Sequence, residues 1–155
     1  MDFTYLGDSM NNAQSVITRF DMSPHPEGGW FKETWRAASG PGVRAAGTAI
    51  LYLLEVGQSS AWHCIDAAEI WHHYAGAPLR LMINDGVQSE HLLGKDFVAG
   101  QVPQAIVPPH AWQSAAPLPN ADADWVLVGC TVSPGFEFAT FEMAEGPELE
   151  RLNSP

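Results

Sequence analysis

The sequence predicts an all-β domain, a sandwich or barrel of short strands preceded by one short α-helix. Three observations carry this expectation. Beyond about residue 30 the chain runs in short stretches of β-branched and aromatic residues separated by Gly, Pro, Asn and Asp, the pattern of strands bounded by turns. The 14 Gly and 12 Pro are spread along the chain rather than gathered in a tract, which predicts recurrent turns and no linker, repeat or low-complexity segment. With 46% hydrophobic residues in 155, the chain is long enough to bury an ordinary apolar core as one domain.

Taken in order, a helix is expected over 11–20, where Val16, Ile17 and Phe20 form an apolar stripe and Pro24 and Pro26 lie beyond its end. Strands are expected at 30–36, 48–55, 60–65, 69–74, 79–83, 88–93, 104–107, 112–115, 125–132 and 137–143. Asn84-Asp85-Gly86 marks a hairpin, because Asp-Gly takes the positive φ angles that two-residue turns need. Residues 1–10 and the polar stretch 146–155 are expected to fray.

The charge excludes some functions. Seven Lys and Arg stand against 18 Asp and Glu, a net charge of −11, and no basic cluster reverses this locally, so nucleic acid and anionic membranes are not expected as partners. The first twelve residues hold two acids and neither a basic nor an apolar leader region, and the longest apolar run, 45–54, is interrupted by Gly47 and Thr48. A cytoplasmic protein is expected. Cys64 and Cys130 lack metal-site spacing and are read as reduced core residues.

The most informative stretch runs from Gly57 through His63 and Glu69 to Gly76. It resembles the first motif of the cupin superfamily, G-x5-H-x-H-x3or4-E-x6-G, except that Ile65 stands where the second histidine is expected. Pro108-Pro109-His110-Ala111-Trp112-Gln113 resembles the second motif, P-x-G-x-x-H, with His110 in place of the glycine and Gln113 in place of the histidine. The stretch His25-Pro26-Glu27-Gly28-Gly29-Trp30, together with Glu69-Ile70-Trp71-His72, Val107-Pro108 and Val128-Gly129-Cys130, is similar to the DUF985 or cupin 5 group. The resemblance implies a double-stranded β-helix, the cupin jelly-roll barrel, over about 24–143 and a homodimer. It implies little about activity.

Strand alternation says which side chains share a face. His63 and Ile65 share one; Glu69, Trp71 and His73 share one face of the next strand, with Cys64 and His72 pointing the other way. In a cupin-like register the lumen holds His63, Glu69, Trp71 and His73, with Gln113 arriving from the second motif. Three readings follow. His63, Glu69 and Gln113 or His73 could hold a divalent metal. Without metal, a His63–Glu69 pair could act as an acid–base dyad, with His73 a further catalytic candidate, as in cupin-fold sugar epimerases. Or Trp71, Gln113 and Glu33 bind a small molecule, such as a carbohydrate or nucleotide-like metabolite, that is not turned over.

Plainer roles compete at each residue. His25 and Glu27 are read as turn formers beside Gly28 and Gly29. Trp71 fits a core position. Glu33 shares a face with Phe31 and Trp35, while Arg36 faces the other side unless a bulge intervenes. His72, His91 and His110 have no motif partner. An anionic ligand would need Lys32, Arg36, Arg44 or Arg80 to converge on it.

Overall fold

The computed structural model describes residues 12–119 and 123–154; the start of the expected helix at Asn11 and the expected frayed segment 1–10 lie outside them. The first helix, α1, is Ala13–Arg19. Asn12 caps it by accepting the Ser15 N–H at 2.9 Å, and the chain leaves it through Asp21 at φ 51°, ahead of both prolines.

Eleven strands follow: β1 Ser23–Pro24, β2 Trp30–Arg36, β3 Thr48–Glu55, β4 Ser60–Cys64, β5 Ala68–Gly76, β6 Leu79–Asn84, β7 Gln88–Leu93, β8 Gln104–Val107, β9 Trp112–Pro117, β10 Trp125–Ser133 and β11 Glu142–Met143. They form two antiparallel sheets, ordered β1-β2-β3-β10-β5-β8 and β11-β4-β9-β6-β7. The pairing is nested. The β6–β7 hairpin is the fold's inner end, and outward from it β5 pairs with β8, β4 with β9 and β3 with β10. From β3 to β6 each strand lies in the sheet opposite its predecessor. One long ribbon wrapped on itself in this way is a jelly roll.

The hairpin turn has three residues, since Asn84 pairs with Gln88 and Gly86 takes φ 114°. The Asn84 side chain accepts the Gly86 N–H at 3.1 Å, and this Asx contact widens the expected two-residue turn.

Two expectations near the C-terminus are corrected. Residues 137–143 are not one strand: a 3-10 turn, Phe138–Thr140, precedes β11. The Glu137 carbonyl accepts both the N–H and the hydroxyl of Thr140 at 3.1 Å, a local contact that competes with a strand ladder. The polar tail does not fray along its length. Gly146–Asn153 is a second helix, α2, with Pro147 in its first turn and an Arg151–Glu148 pair on its surface. Leu152 is 1% exposed and packs with Trp62 and Ala144, and Trp62 Nε1 donates to Asn153 Oδ1 at 3.1 Å. One buried leucine and one cap contact dock the helix, a signal too small for sequence periodicity to reveal.

The core follows strand alternation. Tyr52, Leu54, Trp71, Leu81, Val126, Val128 and Cys130 meet between the sheets, while Leu53, Trp125 and Leu127 face outward beneath Val16 and Ile17 of α1. Cys64 and Cys130 are buried and not bonded to each other. Gly76, one of the motif glycines, has φ 87° and lies against the Trp125 carbonyl, where a side chain would collide. Among the described residues no helix is long and apolar enough to cross a membrane.

Candidate functional site

The space between the sheets is filled toward the β6–β7 end and open at the other, where a cavity of about 370 Å³ remains. β4 supplies His63, β5 supplies Glu69, and β10 supplies Cys130 and Val132 to its wall. β2 and β3 add Phe31, Glu33, Arg36, Thr48 and Ile50. The segment after β10 closes one side with Phe136, Glu137 and Phe138.

The floor is ionisable and buried. His63, Glu69 and Glu27 are all buried. Glu27 reaches the cavity from the turn between β1 and β2, which is stitched to β4 by the Ala61 N–H donating to the Glu27 carbonyl at 2.8 Å. Gly28, at φ 113°, lets that turn press against Ser59, where any side-chain carbon would clash. The expected turn is therefore present, and His25 Nδ1 does satisfy a backbone group, accepting the Glu27 N–H at 3.2 Å. The Glu27 carboxyl has a further place, with Oε1 accepting from Ser60 at 2.9 Å and Oε2 lying 3.1 Å from His63 Nε2.

This geometry locates a proton. His63 Nδ1 is 2.7 Å from the Ala61 carbonyl, which can only accept, so Nδ1 carries hydrogen. Nε2 then meets a carboxyl oxygen across 3.1 Å, and that contact holds one proton between two acceptors. Burial raises the Glu27 carboxyl and lowers the His63 imidazole. Both shifts work toward a neutral pair with the proton on Glu27.

Glu69 is held differently. Trp71 Nε1, a donor only, gives its hydrogen to Gln113 Oε1 at 2.8 Å, which orients the amide so that Nε2 donates to Glu69 Oε2 at 2.7 Å. Burial, opposed by His63 and reinforced by Glu27, brings the Glu69 carboxyl up to about 7. A carboxyl that titrates near neutrality can give or take a proton at little free-energy cost.

The expected site residues are thus divided. His63 and Glu69 share the cavity, and Glu33 stands at its mouth, half exposed rather than buried. A bulge in β2 between Glu33 and Trp35 brings Arg36 to the same side, where its Nε and Nη2 donate to the two Glu33 oxygens at 2.9 and 2.8 Å. Trp71 and Gln113 are fully buried behind the wall and act on Glu69. His73 does not join them. It has the expected parity but lies four residues beyond Glu69, about 13 Å along an ideal strand, next to the β5–β10 bulge. There it donates through Nε2 to the Ala77 carbonyl at 3.0 Å beside a separate hollow lined by Lys95 and Asp96. Glu27 escaped the sequence reading as a site residue; its signal was an acid fixed between Pro26 and the Gly28-Gly29 pair.

The donor set does not fit a metal ion. His63 Nε2, the ring nitrogen left to face an ion, is engaged by Glu27, both ends of the Gln113 amide are engaged, and Ile65 fills the place of a second imidazole. Among the described residues no cluster of three His, Cys, Asp or Glu could hold one.

Comparison with known proteins agrees with this architecture. A hypothetical protein from Leishmania major of known structure superposes with a TM-score of 0.82 at 31% identity, over 92% of this chain and 93% of that one. Protein SO0799 from Shewanella oneidensis superposes with a TM-score of 0.80 at 32% identity, over 88% and 86%. An uncharacterized protein of Saccharomyces cerevisiae is 28% identical over 94% of this chain and 82% of its own length. Oxalate decarboxylase from Bacillus subtilis shares the fold alone, with a TM-score of 0.60 at 16% identity over 79% of this chain and 30% of that one. The family model described as "Cupin superfamily (DUF985)" matches residues 14–144, and the chain belongs to that family.

Proposed function

We propose that the cavity is the active site of a metal-independent enzyme that moves a proton on a small molecule, as in an epimerisation, isomerisation or elimination. Glu69 is the group that exchanges a proton with the ligand near neutral pH. The Glu27–His63 pair stores a second proton and supplies it to the atom that becomes basic as the first is removed. Two proton-handling groups with different environments in one buried site are what such a reaction needs. The observation that supports the reading is the placement of His63, whose Nδ1 lies on the Ala61 carbonyl and whose Nε2 lies 3.1 Å from a buried Glu27 carboxyl oxygen.

Deuterium exchange tests it. The protein is incubated in D2O near neutrality with small carbonyl compounds bearing an adjacent C–H, covering ketoses, amino ketones and keto acids, and incorporation is read by proton NMR. Exchange into at least one compound is expected, with Glu69→Gln slowing it by about a hundredfold or more. Saturable binding with no exchange into any compound would instead make the protein a binding module.

A further inference from the structure

The mouth of the cavity selects charge. Arg36 is the sole Lys or Arg in the cavity wall among the described residues, and it is committed: it is bidentate to Glu33, and Nη2 also donates to the Phe136 carbonyl at 3.0 Å. Arg44, nearby, is bidentate to Asp66 at 2.8 Å on both oxygens and donates to the Gly135 carbonyl at 2.7 Å. Glu137, in the cavity wall, is close enough to both guanidiniums to favour their charged forms. Each guanidinium already has its own carboxylate, so these five side chains leave one net negative charge at the entrance. An anionic ligand would have to break the Arg36–Glu33 pair and would leave Glu33 unpaired against it. Lys32 and Arg80, the other basic residues considered from sequence, do not line the cavity; Lys32 is engaged with Asp21 at 2.7 Å.

The same entrance is aromatic. Phe31, Phe136, Phe138 and His25 line it, and their rings stand as perpendicular walls, Phe136 against Phe138 at 4.8 Å and 85°, His25 against Phe31 at 4.7 Å and 85°. Phe138 also meets Phe141 at 6.1 Å yet remains 55% exposed, an apolar surface at the entrance. Aromatic walls at an entrance of net negative charge favour a positively charged ligand.

We propose that the ligand is a small organic monocation, an ammonium or amidinium compound, whose charged head sits between Phe138 and Glu137 while its uncharged part extends inward to Glu69 and Glu27. This deepens the acid–base reading of the same cavity by naming the charge class of its substrate. A phosphorylated or nucleotide-like ligand is disfavoured by the same charges.

Three probes test it by isothermal titration calorimetry at low ionic strength: choline, its uncharged isostere 3,3-dimethyl-1-butanol, and inorganic phosphate. Choline is expected to bind about tenfold or more tightly than the isostere, to weaken with added salt, and to lose most of this preference in Glu137→Gln and in Phe138→Ala, with circular dichroism confirming that both fold. Phosphate is expected not to bind. Equal affinity for choline and the isostere, tighter binding of phosphate, or no binding of choline would overturn the proposal. Choline preference without deuterium exchange into any carbonyl compound removes the enzyme reading alone; exchange into a neutral or anionic compound without choline preference removes the charge assignment alone.

Discussion

Replacing Glu69 by Gln should change how stability depends on pH. In the folded protein the Glu69 carboxyl sits at about 7, against an ordinary value of 4.5, chiefly because burial penalises its charged form. A carboxyl raised in this way binds its proton more tightly in the folded state than in the unfolded one. Its stabilising contribution is therefore fully present below pH 4.5 and is withdrawn as the pH rises through about 7. Each pKa unit corresponds to about 1.4 kcal/mol, so the rise from 4.5 to about 7 amounts to roughly 3 kcal/mol. The amide introduced by Glu69→Gln mimics the protonated acid and keeps an acceptor for the Gln113 amide, while Glu27, His25 and His63 are present in both proteins, so the difference reads Glu69 together with its coupling to His63 and Glu27. Urea unfolding followed by tryptophan fluorescence at half-unit steps from pH 4.5 to 8 gives that difference directly. Wild type should lose about 3 kcal/mol relative to Glu69→Gln over this range, mostly below pH 7. A difference constant to within about 0.5 kcal/mol would refute the placement of a neutral carboxyl in the cavity floor.

Other outcomes follow from the fold. Leu152→Ala should destabilise the protein by about 2–5 kcal/mol in the same urea assay, because Leu152 is 1% exposed against Trp62; a loss under about 0.5 kcal/mol would mean that α2 is not docked. His110 occupies the motif's glycine position at φ 65° while its N–H donates to the Ile65 carbonyl at 2.7 Å. His110→Gly should be neutral to about 1 kcal/mol stabilising and His110→Val destabilising by about 1–2 kcal/mol, and the reverse order would contradict that backbone conformation.

What was legible in the sequence is what alternation and turn chemistry determine. Alternation along β4 and β5, with the register implied by the cupin-like motif, placed His63 and Glu69 in one lumen, and Asn84-Asp85-Gly86 marked the hairpin from which the ribbon winds. Alternation gives the face of a strand but not the depth along it, so His73 was assigned to a cavity that it does not reach. It also fails at bulges: Glu33 and Arg36, three residues apart, pair because β2 is irregular between Glu33 and Trp35. Glu27 joins His63 across 36 positions through the contact of its turn with Ala61, a tertiary juxtaposition that no local pattern encodes. The aromatic entrance was hidden for a similar reason, since Phe136 and Phe138 were read as flanking or forming a strand that the Glu137–Thr140 contact prevents.

The acid–base chemistry proposed for the cavity rests on one proton shared between Glu27 and a His63 of fixed tautomer, with burial favouring the neutral pair. Nitrogen-15 NMR of histidine-labelled protein reads this most directly. Between pH 6 and 8 His63 Nδ1 is expected to be protonated and Nε2 bare but hydrogen-bonded, with Glu27→Gln altering the Nε2 resonance most. A doubly protonated His63 at neutral pH, or the opposite tautomer with Nδ1 bare, would contradict it.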